Sequence, residues 1–260
     1  MTTRTPTVAL LYPGHAAEDD YPLVETALGG VIRLPVIITD IESDDHTVAA
    51  MRAVGTDTPL RDGARRAARY EPDALMWACT SGSFLYGWDG AHEQVSRLAD
   101  VVGLPVSSTS LAFAAACREL GVTSVAVAAT YPTPVADGFT TFLAGAGVTV
   151  VASAAHDIHT ATEAGTVDGD NLFEMVRSAD SANAQAVLVP DTALHTIGWV
   201  ADLEREIDKP VLTANQVTAW QAARLAYVDV AAEGLGALFR PSADEVRWAP
   251  SSPAARRRSR

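Results

Sequence analysis

The stretch Gly103-Leu104-Pro105-Val106-Ser107-Ser108-Thr109-Ser110 returns 105 residues later as Asp208-Lys209-Pro210-Val211-Leu212-Thr213-Ala214-Asn215. The same offset joins Val95-Ser96-Arg97-Leu98 to Val200-Ala201-Asp202-Leu203 upstream, and Arg118-Glu119-Leu120 to Ala223-Arg224-Leu225 downstream. Further upstream, Ala74-Leu75-Met76-Trp77-Ala78-Cys79-Thr80-Ser81 matches Ala186-Val187-Leu188-Val189-Pro190-Asp191-Thr192-Ala193 at an offset of 112. Tyr12-Pro13 and Tyr131-Pro132 close what reads as the first strand of each half. The chain is thus an internal duplication with lobes at 1–115 and 116–240.

Between these landmarks, short β-branched runs alternate with alanine-rich helical stretches, the pattern of a parallel α/β protein. Strands are expected at 8–11, 32–38, 74–78, 106–107, 124–128, 148–152, 186–189 and 211–213. Helices are expected at 20–29, 46–70, 90–101, 109–120, 133–145, 168–182, 197–207 and 215–227. Eight of each also suit a (β/α)8 barrel. The repeat argues instead for two pseudo-twofold-related lobes, each a mainly parallel four-stranded sheet flanked by helices. Ligands of open α/β sheets sit outside the carboxyl ends of the strands. Cys79-Thr80-Ser81 and Asp191-Thr192 occupy equivalent strand ends, so the axis would set them on opposite walls of one cleft. Residues 241–260 change composition and end in four arginines among five residues, which reads as a mobile tail.

Composition narrows the function. The 260 residues carry a formal charge of −13, and removing the four closing arginines leaves 15 basic against 32 acidic groups. Such a body repels phosphate backbones and anionic bilayers, so neither nucleic acid nor a membrane surface is an expected partner. The only lysine, Lys209, sits in a charged loop before Pro210, a poor place for Schiff-base or pyridoxal-phosphate chemistry. Two cysteines are too few for a disulfide framework and fit a reducing compartment. The initial apolar run is too short for a signal segment, so a cytoplasmic protein is expected. Enzymes of this size and acidity often form homodimers, and a homo-oligomer is the corresponding expectation.

Cys79 carries the chemistry. It follows an apolar strand and is itself followed by two hydroxyls and a glycine, which supply donors for an anion. A thiol at such a mouth can have a lowered pKa and act as base, acid or nucleophile; otherwise it is a small buried hydrophobe. Cys117, within Ala114-Ala115-Ala116-Cys117-Arg118, reads as core. Asp191 reads as a proton donor whose pKa burial raises, or as a helix cap or solvated loop acid. Tyr131 offers a phenol to an oxyanion, or packs. His156 and His159 lack a third ligand nearby, and His195 reads as a surface or capping histidine. No Gly-x-Gly-x-x-Gly, Walker or Gly-x-Ser-x-Gly sequence is present.

At these residues the chain resembles the Asp/Glu racemase superfamily, in its arylmalonate decarboxylase and maleate cis-trans isomerase branch. The likeness spans about residues 6–240. It rests on Leu11-Tyr12-Pro13, Cys79-Thr80-Ser81-Gly82-Ser83-Phe84, Gly103-Leu104-Pro105, Leu120-Gly121-Val122 with residues 125–131, and Pro210-Val211 with the helix through Trp220. The resemblance implies two lobes with the site between them, a small carboxylate substrate, and neither metal nor organic cofactor. Racemases and maleate isomerases of the branch carry cysteine at both equivalent strand ends, and arylmalonate decarboxylases only at the second. Here Cys79 matches the first position and Asp191 stands at the second, which inverts the decarboxylase pattern. Thr80, Ser81, Tyr131 and the Thr192 backbone match the donors that cradle a carboxylate or enolate. Pro13, beside Tyr12, matches the wall after the first strand. The resemblance leaves decarboxylation, isomerisation and racemisation open, and a small-acid binding protein without chemistry is the competing class.

Overall fold

A computed structural model describes residues 4–240; the arginine-rich tail at 241–260 lies outside the described residues. Eight strands form two four-stranded sheets, parallel throughout: β1 Val8–Pro13, β2 Val36–Thr39, β3 Ala74–Trp77 and β4 Val106–Ser108 in one, and β5 Ser124–Ala129, β6 Thr149–Ala155, β7 Ala186–Val189 and β8 Val211–Thr213 in the other. Their orders, β2-β1-β3-β4 and β6-β5-β7-β8, are the same. The two-lobed reading therefore holds and the barrel does not. β1, β3, β5 and β7 are central and almost wholly buried, so they read as continuous apolar runs. β6 is an edge strand, and along it exposed residues alternate with half-buried ones.

The 105-residue repeat has a mechanical meaning. Ser108 and Thr213, equivalent residues at the ends of β4 and β8, cap the helices Thr109–Glu119 and Ala214–Leu225. Ser108 Oγ accepts from Leu111 N at 3.3 Å, whereas Thr213 forms a capping box with Gln216. The two helices lie against each other. Thr109 Oγ and Thr218 Oγ are 2.6 Å apart, and Arg224 donates to Glu119 at 3.1 Å. Glu119 and Arg224 are themselves 105 residues apart, so equivalent positions pair with each other and the pseudo-twofold axis passes close to them.

Three apolar clusters fill the molecule. The largest joins the lobes through Phe84, Phe113, Phe139 and Phe142, and the other two lie on the far faces of the two sheets. The helix Ala214–Leu225 follows β8 yet packs on β1, β3 and β4 as well, and residues 115 and 116 fall inside the helix Thr109–Glu119.

Two local readings change. Residues 46–70 form two helices, Val48–Val54 and Asp57–Ala67, because the chain breaks at Gly55, where a Cβ would collide with the carbonyl of Gly82. The Tyr-Pro pairs are also not equivalent in space. Leu11 pairs with Trp77 and Val127 with Leu188, so Pro13 is level with Cys79, whereas Thr130 is level with Asp191. β5 ends at Ala129, and Tyr131-Pro132 lies beyond it.

Candidate active site

In each sheet the chain crosses from the first strand to one side and then returns to the other, so a crevice opens between β1 and β3 and between β5 and β7. Ligands bind at such switch points. Cys79 stands just past β3 and Asp191 just past β7, both buried (3% exposed each). They line one cavity together with Tyr12, Pro13, Ser81 and Thr192. The space open to the centre of a water molecule is about 50 Å³, room for a few waters or a small organic acid.

The turn after β3 is fixed by its neighbours. Gly82 N donates to Cys79 Sγ at 3.3 Å, and Ser81 Oγ lies 3.8 Å from the same sulfur. A Cβ on Gly82 would come within 3.1 Å of that sulfur, so glycine permits the approach. Gln94 and the Trp77 indole both donate to Gly82 O, at 2.8 and 3.3 Å. Ser110 Oγ donates to Thr80 O at 2.7 Å. On the other side Asn215, the equivalent of Ser110, donates to Thr192 O at 3.3 Å, so the repeat supports both cavity walls alike.

The sequence left open a lowered pKa for Cys79. Burial overrides it. Desolvation pushes the thiol from an ordinary 9.0 up to about 12, against the contributions of Gly82 N–H and the Ser81 hydroxyl, and the nearby Asp191 adds to the rise. Cys79 therefore rests as a thiol, a proton donor rather than a standing nucleophile. Cys117 is buried and makes up part of the core, as expected.

Asp191 is neither solvated nor a cap of a long helix. It accepts from Ala193 N at 2.9 Å and from the Thr130 hydroxyl, so one turn and one neighbouring strand end aim its carboxyl group. Tyr12 Oη donates to Thr192 O at 2.8 Å and accepts from Ala17 N at 3.0 Å, which ties the first lobe to the second at the cavity wall. Thr80 and Tyr131 do not line the cavity but stand behind it. Tyr131 donates to Pro190 O at 2.7 Å, and burial and then the Asp191 charge hold its phenol neutral. The Thr80 hydroxyl beside it is buried without a hydrogen-bond partner, a donor free to turn toward a bound group. His195 pairs with Asp19 at 2.8 Å outside the cavity.

With this geometry in place, comparison with known proteins assigns the family: a family model described as arylmalonate decarboxylase matches residues 51–239. The chain belongs to the arylmalonate decarboxylase family. A maleate isomerase of Nocardia farcinica is 27% identical over 202 residues, covering 75% of this chain and 80% of its own. An arylmalonate decarboxylase of Bordetella bronchiseptica is 28% identical over 184 residues, covering 70% of this chain and 77% of its own. The solved structure of a liganded double mutant of arylmalonate decarboxylase superposes with a TM-score of 0.79 at 26% identity, over 90% of this chain and 99% of that one. These relatives are enzymes, as the sequence led one to expect. No helix among the described residues is long and apolar enough to cross a membrane.

The sequence reading missed the third wall of this family member's cavity, built by Ile41, Ser43, Asp44, Asp45, His46, Met51 and Val54 with Ala161 opposite. This segment crosses from the first lobe to the second. His46 N donates to His159 O at 2.7 Å, Ala161 N to Asp44 O at 2.9 Å, and the Thr162 hydroxyl to Asp44 Oδ2 at 2.6 Å. An isolated antiparallel bridge joins Asp45 to Thr160. Loop residues without periodicity give no advance signal of such pairing, although the Ser43-Asp44-Asp45-His46 run was a concentration of polar groups in the sequence.

Proposed function

We propose that this chain is a cofactor-independent enzyme acting at the carbon beside the carboxylate of a small carboxylic acid, through an enolate, with Cys79 as the proton donor. The supporting observation is a buried, protonated thiol sharing a cavity of small-acid size with hydroxyl donors. In the decarboxylase reading the bond between the reacting carbon and the departing carboxylate breaks, and CO2 leaves. The electron pair stays behind as an enolate stabilised by the hydroxyls of Ser81 and Thr80 and by the Thr192 backbone. Donors aimed at charge that develops in the transition state lower the barrier more than they stabilise the ground state, and losing one costs about 10²–10³ in rate. The Cys79 S–H then forms the new C–H bond, and water returns a proton to the thiolate. Tyr131 contributes an oxyanion donor only when its proton leaves Pro190 O. The apolar side chains of Ile41, Met51 and Val54 suit a substituent on the reacting carbon.

The likeness to a maleate isomerase supports a second reading, in which Cys79 sulfur adds to a double bond, the new single bond rotates, and the sulfur leaves. That route needs a thiolate, which burial opposes. A third, racemisation, uses Asp191 as the opposing base. One experiment separates them: 2-substituted malonates, maleate, and amino and hydroxy acids incubated in D2O. CO2 release with one deuterium on carbon supports the decarboxylase, exchange without CO2 the racemase, and fumarate without CO2 the isomerase. No reaction of any compound, with ligand binding unaffected by Cys79→Ala, overturns the catalytic reading.

A further inference from the structure

The acids considered above carry one or two carboxylates into a cavity whose lining contains Asp44, Asp45 and Asp191 but neither arginine nor lysine. Long-range attraction does not help either, since the chain as a whole is strongly acidic. A carboxylate that remains on the substrate therefore needs a local partner. The remaining group on the wall that can carry positive charge is His46.

His46 is set up for this task by three contacts. Its residue is buried, 5% exposed, on the segment that crosses between the lobes. Its Nδ1 lies 2.9 Å from Ile158 O, and a carbonyl only accepts, so Nδ1 carries a proton. Its ring stands edge-on to Tyr131, with centroids 5.3 Å apart, which fixes the ring plane. With Nδ1 committed to Ile158, Nε2 is the free nitrogen, and when it is also protonated the ring is a cation with one N–H to give. Hydrogen bonds between charged groups are roughly twice as strong as neutral ones.

We propose that His46 is a substrate-binding residue that gives the site its preference for dicarboxylic over monocarboxylic acids, its Nε2–H donating to the carboxylate that stays on the substrate. This assignment rests on the enolate reading of the site and adds the group that orients the acid for it. It also explains why the segment 44–46 is paired to 158–162. The wall that brings His46 to the cavity is held by both lobes, so a bound diacid would touch the first lobe, the second lobe and the segment that joins them.

His46→Asn and His46→Phe test it. Asparagine keeps a side-chain N–H at the distance of Nδ1, so the bond to Ile158 O survives while the cavity-facing donor is lost. The probes are malonate and 2-methylmalonate as diacids and propionate as the monoacid, with binding measured by calorimetry and, for the substrate found in D2O, KM and kcat measured separately. The expected result is that both variants lose at least tenfold in diacid affinity and in KM, that propionate binding is unchanged, and that kcat falls less than KM rises. A His46→Asn protein as selective for diacids as the parent overturns the assignment of His46 and leaves the enolate reading standing. Equal weakening of diacid and monoacid binding reveals a structural role for the ring and also overturns it. A parent protein that neither binds nor turns over any acid in the series overturns the enolate reading and this assignment together.

Discussion

The hydroxyl of Tyr12, at the end of the first strand, donates to the carbonyl of Thr192 in the opposite lobe at 2.8 Å. It accepts from Ala17 N at the same time, so one buried oxygen closes a bridge between the two strand ends that form the site. Tyr12→Phe leaves the Ala17 N–H without its acceptor and the Thr192 carbonyl with Asn215 alone. A loss of about 1–3 kcal/mol is expected for buried groups left unpaired, read as a lower urea midpoint with an unchanged slope. Turnover is expected to fall as well, because the Thr192 peptide belongs to the cavity wall.

Burial of Cys79 has a clear sign in pH. Its folded pKa lies near 12, above the ordinary 9.0, so its contribution to stability is complete below pH 9 and fades as pH rises toward 12. Cys117 moves the same way for the same reason. Iodoacetamide is expected to label Cys79 more slowly than a free thiol at pH 8–9, and activity is not expected to decline over that range through loss of the thiol proton. Fast labelling at pH 7 would contradict a resting thiol.

Asp191 separates the one-base from the two-base chemistry. Asp191→Asn keeps the size of the side chain and an oxygen for Ala193 N, and removes a base. If Cys79 alone delivers the proton, decarboxylation is expected to persist within about tenfold, whereas any exchange of substrate hydrogen with D2O is lost. Thr130→Val, which removes the hydroxyl donating to Asp191, is expected to destabilise the fold by about 1–3 kcal/mol and to disturb turnover without changing the product.

Glu119 and Arg224 give a test of the duplication itself. They are half exposed, and exposed ion pairs contribute about 0–1 kcal/mol. Because the two positions are equivalent about the pseudo-twofold axis, the double exchange Glu119→Arg with Arg224→Glu is expected to restore the stability that either single change removes.

Much of this was legible in advance, for physical reasons. The strand-to-helix junction must place an apolar run, a capping side chain and a helix start at fixed spacing, so Pro105–Ser110 and Pro210–Asn215 kept their similarity and exposed the lobes. Cys79 and Asp191 were legible because strand ends are positioned by the sheet. The ionisation of Cys79 was not, because it depends on how completely other segments cover the sulfur. The register of Tyr131 was not either: Tyr-Pro recurs in the sequence, but β5 stops two residues earlier relative to it, and Thr130 takes the place opposite Asp191. Nor was His46, whose position depends on pairing between two loops over 100 residues apart.

The central claim is that the proton reaches the enolate from the Cys79 wall of the cleft. The direct test moves the thiol to the other wall with Cys79→Gly and Asp191→Cys in one protein, followed by chiral analysis of the product from a decarboxylated 2-aryl-2-methylmalonate or the smaller 2-substituted malonate that the cavity accepts. The opposite enantiomer is expected from the double variant, in excess over the parent's. The same enantiomer from both proteins would contradict Cys79 as the proton donor.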